Sequence, residues 1–344
     1  MVECDALEMR FGGNVNVGSN PTLSVENAEL DIGVQGLVQQ QLSLGVLTPE
    51  AALKLLAARI GKNRISKTRG KGFGVNAPGC TSPSAAEHLC KWLGYSVLGL
   101  ELVGCYLKEQ PDLSLEKMLV RLQKQTFAGE NNPTDHLTAE RSVQAAFELS
   151  WQRLNADAQQ LGCLLSIFAL APMIWAQVES VVGQQYLPAA FLEALLKSSQ
   201  KDPEGVVEEL LVGIIKNLEH SRSALVRSHL LQHTDEETYH LHPAIWEFFH
   251  EKLEELEQAD DLKQAFCQVM VAVAKQIPEQ PTPELIEEIA PAIPHLVETA
   301  TTWQDFLSHD DVTQTCIGLS RFYQSQGLSS LAELWHERWI LAVD

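Results

Sequence analysis

Four histidines lie close together in the sequence, at His229, His233, His240 and His242, and their imidazole rings are the side chains best suited to ligand chemistry. A neutral imidazole can bind a metal ion, and its ring N–H can donate a hydrogen bond to a phosphate oxygen. His240 and His242 share one face of a predicted strand, because side chains alternate along a strand. The other two would lie on a partner strand whose register is unknown, and no cysteine is close. The pattern favours histidines of a strand surface and a hinge over a metal site.

The stretch from Leu225 to Leu256 predicts the elements that would position these histidines. A short apolar run precedes a polar, turn-like segment, Thr234 to Glu237, and Thr238 to Leu241 then alternates as a strand does. Pro243 stands where a helix could begin. The apolar residues that follow recur at helical spacing on one face: Ile245, Phe248, Phe249, Leu253 and Leu256. Strand, tight turn, strand and amphipathic helix are typical of the end of a winged-helix domain, with His242 at the hinge between the wing and the helix.

The sequence lacks the motifs of the common catalytic sites. It contains no GxxxxGK followed by Ser or Thr, no GxSxG and no HExxH. The run from Arg69 to Gly74 holds glycines and a lysine, but it lacks the spacing and the preceding strand of a phosphate-binding loop. Residues 62–84 interleave basic residues with glycine and proline, which we interpret as a flexible surface insertion, with a phosphate-contacting loop as the alternative. We predict no catalytic residue and no enzymatic activity for the chain alone.

Composition and charge narrow the classes of function. A chain of 344 residues, 45% of them hydrophobic, is long enough for two or three domains with substantial cores. A formal net charge of −20 disfavours nucleic-acid binding, which depends on cationic side chains, and it favours protein partners. Seven scattered cysteines without a CxxC pair indicate free thiols in a reducing, cytoplasmic environment. We find no signal peptide and no apolar run of membrane-spanning length, and therefore expect no membrane association.

Periodicity and turn signals divide the chain into four parts. Residues 1–37 are either a poorly ordered tail or the remnant of a sheet-containing domain. Residues 38–130 predict a helical domain that contains the insertion 62–84 and begins with Thr48 as an N-cap followed by a proline. Residues 136–257 predict the winged-helix domain, and residues 258–344 predict further helices. The predicted fold class is therefore mainly α, with a helical bundle, a winged helix with a small β-hairpin wing, and the start of an α-helical repeat.

Five stretches together resemble one known family, the NB-ARC type of STAND signalling ATPases, in the bacterial form that tetratricopeptide repeats follow. Leu44–Leu56 is similar to the exit from the family's nucleotide-binding domain, and Leu93–Gly104 resembles its GLPL-type motif. Ser142–Leu154 resembles the opening helix of its winged-helix domain. Tyr239–Phe249 is similar to its MHD-type motif, and Gly318–Glu333 resembles the first helix and turn of a repeat. The resemblance covers about residues 38–61 and 86–344.

This resemblance implies a site and a mechanism. His242 corresponds to the MHD-type histidine, and Leu98, Gly99 and Leu100 correspond to the GLPL-type motif. In this family the winged helix clamps bound ADP, nucleotide exchange frees it, and the repeats sense a protein partner. The phosphate-binding lysine loop would lie before residue 1, so we expect no cofactor in this chain alone and ADP or ATP in a parent protein. The sequence departs from the motifs at Val97, where proline is usual, and at Pro243, where aspartate is usual.

We therefore expect a non-catalytic regulatory and protein-interaction fragment. Its winged helix would act as a latch on a nucleotide-binding domain supplied in cis or in trans. One alternative is a winged-helix DNA-binding regulator, which requires a basic recognition helix. The candidate helix, Pro203–Leu218, carries Glu204, Glu208 and Glu209 against Lys216, which argues against it. Weak ADP binding by the chain alone is a second alternative, and nucleotide hydrolysis with a lysine loop supplied in trans is a third.

Overall fold

The structure, a computed structural model, describes residues 46–66, 84–127, 139–197, 203–235 and 237–343, all of which belong to one compact unit. The predicted tail or remnant at residues 1–37 lies outside the described residues. Most of the described chain is helical, with one small antiparallel sheet, which confirms the predicted mainly-α class.

The first group of helices follows from local signals that the sequence carries. As predicted, Thr48 caps the first helix, and its Oγ1 accepts a hydrogen bond from the Ala51 N–H at 3.3 Å. Ser84 and Glu87 cap the third helix reciprocally in a capping box. The helices of this group are α1 (Pro49–Ile60), α2 (Lys62–Ser66), α3 (Ala85–Trp92), α4 (Val97–Glu109) and α5 (Leu115–Phe127).

Arg64 lies in residues 62–66, the first part of the segment 62–84 that the sequence predicts to be a flexible insertion. The segment begins as helix α2, and residues 67–83 lie outside the described part. The Arg64 guanidinium donates hydrogen bonds to the carbonyl oxygens of Leu107 and Leu113, each at 2.6 Å, and to that of Gln110 at 3.3 Å. The last carbonyls of a helix have no partner within the helix, so this cation completes the end of α4. Arg64 is therefore a structural residue rather than part of a phosphate-contacting loop.

We expect Arg64→Ala to lower the free energy of unfolding by about 2 kcal/mol, because hydrogen bonds from a charged donor are lost and carbonyls are left unpaired. Urea denaturation followed by circular dichroism measures this change. Arg64→Lys is the matched comparison: it keeps the charge, but a single ammonium lacks the fork that reaches several carbonyls, so we expect partial loss. Equal stability of all three proteins would contradict this role.

The second group of elements contains the sheet. Its order is α6 (Ala139–Trp151), α7 (Ala156–Leu165), β1 (Met173–Ile174), α8 (Trp175–Lys197), α9 (Pro203–Arg227), β2 (Gln232–Asp235), β3 (Thr238–His240) and α10 (Pro243–Glu254). The strands pair in the order β1-β3-β2, all antiparallel, with Met173 and His233 both opposite Tyr239. The β-hairpin of β2 and β3 follows α9, and Pro243 opens α10, as the sequence predicts. We call the elements from α6 to α10 the hairpin region.

Two details of this region differ from the sequence prediction. Residues Leu225–Arg227 form the last turn of α9 instead of strand, and His229 lies after that helix, with a φ of 57°, rather than on β2. Strand β1 was not predicted, because two residues are too short to show alternation. The strand exists because it pairs with β3, a contact that sequence periodicity does not encode.

The C-terminal part is helical, as predicted. Helix α14 (His309–Ser325) packs closely on α11 (Ala259–Lys275): a Cβ at Gly318 would lie only 2.9 Å from the Ala274 carbonyl oxygen, so only glycine allows this approach. Gly327, with a φ of 72°, forms the turn between the last two helices. None of the described helices has the length and apolar character needed to cross a bilayer. The elements are α11 (Ala259–Lys275), α12 (Pro283–Ile289), a 3₁₀ turn (Ala290–Ala292), α13 (Ile293–Thr301), a second 3₁₀ turn (Gln304–Phe306), α14 (His309–Ser325) and α15 (Ser329–Val343).

Residues 166–172 form a loop between α7 and β1. Backbone carbonyl oxygens of this loop accept hydrogen bonds from aromatic side chains of later elements. Trp246 on α10 donates its indole N–H to the Phe168 carbonyl at 3.0 Å, and Trp303 donates to the Ile167 carbonyl at 3.0 Å. Nε2 of His295 on α13 lies 3.2 Å from the Pro172 carbonyl oxygen. The contacts of Trp303 and His295 join the hairpin region to the C-terminal helices.

Candidate functional site

Two of the predicted site residues meet in one groove. The groove, about 530 Å³ in volume, lies between the start of α4, one face of α6 and the first turns of α10. His242 and Leu98 both line it, although they are far apart in the sequence. Val143 and Phe147 from α6 and Phe248 from α10 supply much of the rest of its apolar surface. The fold therefore brings the MHD-like and GLPL-like stretches to a common site.

The other two GLPL-like residues serve packing. Leu100 is completely buried in the core. A Cβ at Gly99 would lie 3.2 Å from Cγ2 of Val143 and 3.3 Å from Cδ2 of Leu93, so this glycine lets α4 approach α6 closely. The structure thus places Gly99 and Leu100 behind the groove, and neither lines it.

His242 is the N-cap residue of α10 and sits in extended backbone conformation. Its Nδ1 accepts a hydrogen bond from the Ala244 N–H at 3.2 Å. Because Nδ1 is the acceptor, the neutral ring carries its proton on Nε2, which can donate to a ligand. Burial lowers the pKa of His242, nearby His240 lowers it further, and Glu247 opposes the shift. The ring is therefore neutral at pH 7 and offers one donor.

The start of α10 does not form an anion-binding site. Pro243 has no N–H, the Ala244 N–H is capped by His242, and the Ile245 N–H bonds to the His242 carbonyl at 2.8 Å. The groups that a helix N-terminus usually offers to phosphate are thus already satisfied.

The charge of the groove also opposes phosphate. Glu247 and Glu251 line it, and its described lining contains no lysine or arginine. The apolar surface around Leu98 and Phe248 suits an aromatic base or an apolar side chain. The described lining offers one imidazole donor and no cation, which does not fit a nucleotide site of the chain's own.

The remaining histidines do not converge with His242 on a ligand. Nδ1 of His240 lies 3.0 Å from Thr234 Oγ1, and the His233 ring packs against Tyr239. His229 lies 3.6 Å from a carboxylate oxygen of Glu101, beside α4. Across the described parts of the chain, no group of three or more His, Cys, Asp or Glu side chains could hold a metal ion.

Helix α9 offers little positive charge over the part whose side chains are described. Arg222 forms an ion pair with Glu219, and its guanidinium lies 4.7 Å from the centre of the Trp175 ring. The Arg227 side chain bonds to the Ser223 carbonyl at 3.2 Å. Lys216 remains exposed, so residues 212–227 do not form the basic surface that DNA recognition requires.

Sequence reasoning missed the two carboxylates and the α6 side chains of the groove. The available signal was their spacing: Val143 and Phe147, like Glu247 and Glu251, are four residues apart and share a helix face.

Comparison with known proteins adds nothing to this assignment, because no family model and no curated protein matches the chain.

Proposed function

We propose that this chain is a non-catalytic regulatory and protein-interaction module whose winged-helix part latches a nucleotide-binding domain in its ADP-bound state. The observation that supports the proposal is the shared groove of His242 and Leu98, two of the four residues that the NB-ARC resemblance implies for the nucleotide site. The nucleotide-binding domain, in cis or in trans, supplies the phosphate-binding lysine. The contribution of this chain is a rigid histidine donor and an apolar surface.

The capped position of His242 supports its role as a latch residue. An N-cap ring whose Nδ1 is already bonded has little rotational freedom, so its Nε2–H is held in a fixed direction. A hydrogen bond from a neutral donor to a charged acceptor contributes about 1.5–3 kcal/mol. One such contact is enough to change the release rate of a ligand about tenfold or more.

The C-terminal helices support the protein-interaction part of the proposal. The last hairpin, α14 and α15, leaves two large apolar side chains partly exposed, Leu328 at 42% and Ile340 at 47%. Helical-repeat hairpins bind partners and neighbouring repeats through exposed apolar positions of this kind. We propose that the protein partner contacts this end of the molecule.

Release of fluorescent mant-ADP from an ADP-loaded nucleotide-binding domain of the NB-ARC type tests the latch. We expect the chain to slow release about tenfold, and His242→Ser to abolish the slowing, because serine caps a helix but cannot reach a nucleotide as histidine can. His240→Ser is the matched control and should slow release as the wild type does. Unchanged release with the wild-type chain, or full slowing by His242→Ser, would refute the proposal.

A further inference from the structure

The groove beside His242 combines an apolar floor with an acidic rim. Leu98 and Phe248 on the floor are 9% and 4% exposed, and the ring of Phe147 on α6 packs against that of Phe248 with the ring centroids 5.5 Å apart. Glu247 and Glu251 are both exposed and stand four residues apart on the groove side of α10. Any occupant of the groove must therefore satisfy an apolar surface and two neighbouring negative charges.

The charge of this rim is not neutralised within the described part of the chain. Neither rim carboxylate forms a salt bridge there, and Glu251 accepts only a 3.4 Å hydrogen bond from the Gln144 amide. Lys252, the next residue on the helix, is engaged with Glu148 and Glu255, each at 3.3 Å. Within the described part of the chain, an occupant that brings its own cations would therefore find two carboxylates that form no ion pair.

We infer that the groove binds an amphipathic segment of the latched nucleotide-binding domain, with apolar side chains on the floor and lysine or arginine against Glu247 and Glu251. This inference rests on the proposed function and deepens it, since it names what the latch contacts: a cationic, apolar peptide surface of the latched domain, and not the partner at α14 and α15. A volume of about 530 Å³ lies within the range in which compact ligands and side-chain clusters are bound. The mode is that of a helix in a groove, with apolar anchors for affinity and charges for selection.

Fluorescence anisotropy with two labelled peptides tests the inference on the intact protein. One peptide is an 18-residue amphipathic helix of leucine and lysine, and the other has glutamate in place of every lysine. We expect the lysine peptide to bind and the glutamate peptide to bind at least tenfold more weakly. Binding of the lysine peptide should weaken as salt is raised from low ionic strength, because the rim charges are exposed.

Two matched double variants, each with two Glu→Gln substitutions, test whether the lysine peptide binds at the groove. Glu247→Gln with Glu251→Gln should weaken binding of the lysine peptide about tenfold. Glu287→Gln with Glu288→Gln removes the same charge from exposed positions of α12 and should leave binding unchanged. Equal loss in both double variants would mean that the peptide responds to the net charge of −20 alone, and it would overturn the inference.

The outcomes also separate this inference from the latch. If the lysine peptide does not bind while the chain still slows mant-ADP release, the proposed occupant of the groove is wrong and the proposed latch function is retained. If the peptide binds through the two rim carboxylates while nucleotide release is unaffected, the groove assignment holds and the nucleotide partner is wrong.

Discussion

Phe168→Ala is expected to lower the free energy of unfolding by about 3–5 kcal/mol, the range for deleting a buried aromatic ring. Phe168 is completely buried, and its ring packs edge-on against the rings of Phe266 and His295. The distances between ring centroids are 4.8 Å and 5.1 Å. These two partners belong to α11 and α13, so the ring joins the hairpin region to the C-terminal helices. Alanine would leave a cavity among elements that are fixed by other contacts and cannot close around it.

Chemical denaturation monitored by tryptophan fluorescence and circular dichroism measures this loss. Leu170→Ala, in the same loop but 37% exposed, is the matched control and should change stability by no more than about 0.5 kcal/mol. We expect the two probes to report coincident transitions in the wild type, because the loop ties both regions together. A loss below about 1 kcal/mol for Phe168→Ala would show that the junction is not a common core.

The second large effect is an acid-dependent loss of stability through His295. The side chain is completely buried, and burial lowers its pKa to about 4, although the bond to the Pro172 carbonyl partly opposes the shift. In the unfolded chain a histidine titrates near pH 6.5. Between these values the unfolded state binds a proton that the folded state excludes. The stability contributed by neutral His295 is therefore complete above about pH 6.5 and is lost as the pH falls to about 4, a total of about 3 kcal/mol.

The free energy of unfolding, measured at intervals between pH 7.5 and 4.5, tests this prediction. His295→Gln keeps a donor for the Pro172 carbonyl but does not titrate, so we expect a flatter dependence on pH whatever its absolute stability. His220→Gln removes an exposed histidine and should leave the wild-type slope in place. An unchanged slope in His295→Gln would assign the acid sensitivity to other groups.

Helix α10 links these stability effects to the proposed site. Trp246 and His250 on this helix face the loop at residues 166–172, while Glu247 and Glu251 line the groove. His242 caps the same helix. The groove is therefore built on an element whose adjacent face is fixed to the core, which is the arrangement that holds a recognition surface in one geometry.

The sequence alone determined the features that depend on local chemistry. The mainly-α class, the cap at Thr48, the start of α10 at Pro243 and the strand at Thr238–His240 were all predicted, because caps, fixed proline geometry and side-chain periodicity act over a few residues. The resemblance also singled out His242 and Leu98 as site residues, and the fold brings them to one groove.

Only the tertiary structure decided what depends on contacts between distant segments. It paired β1 with β3, placed Arg64 at the end of α4 and buried Leu100 behind the groove. It also set the acidic character of the site, since Glu247 and Glu251 line a groove only because α10 faces α6 and α4. Local propensity cannot specify such contacts, because their free energy comes from surfaces that meet only after the chain has folded.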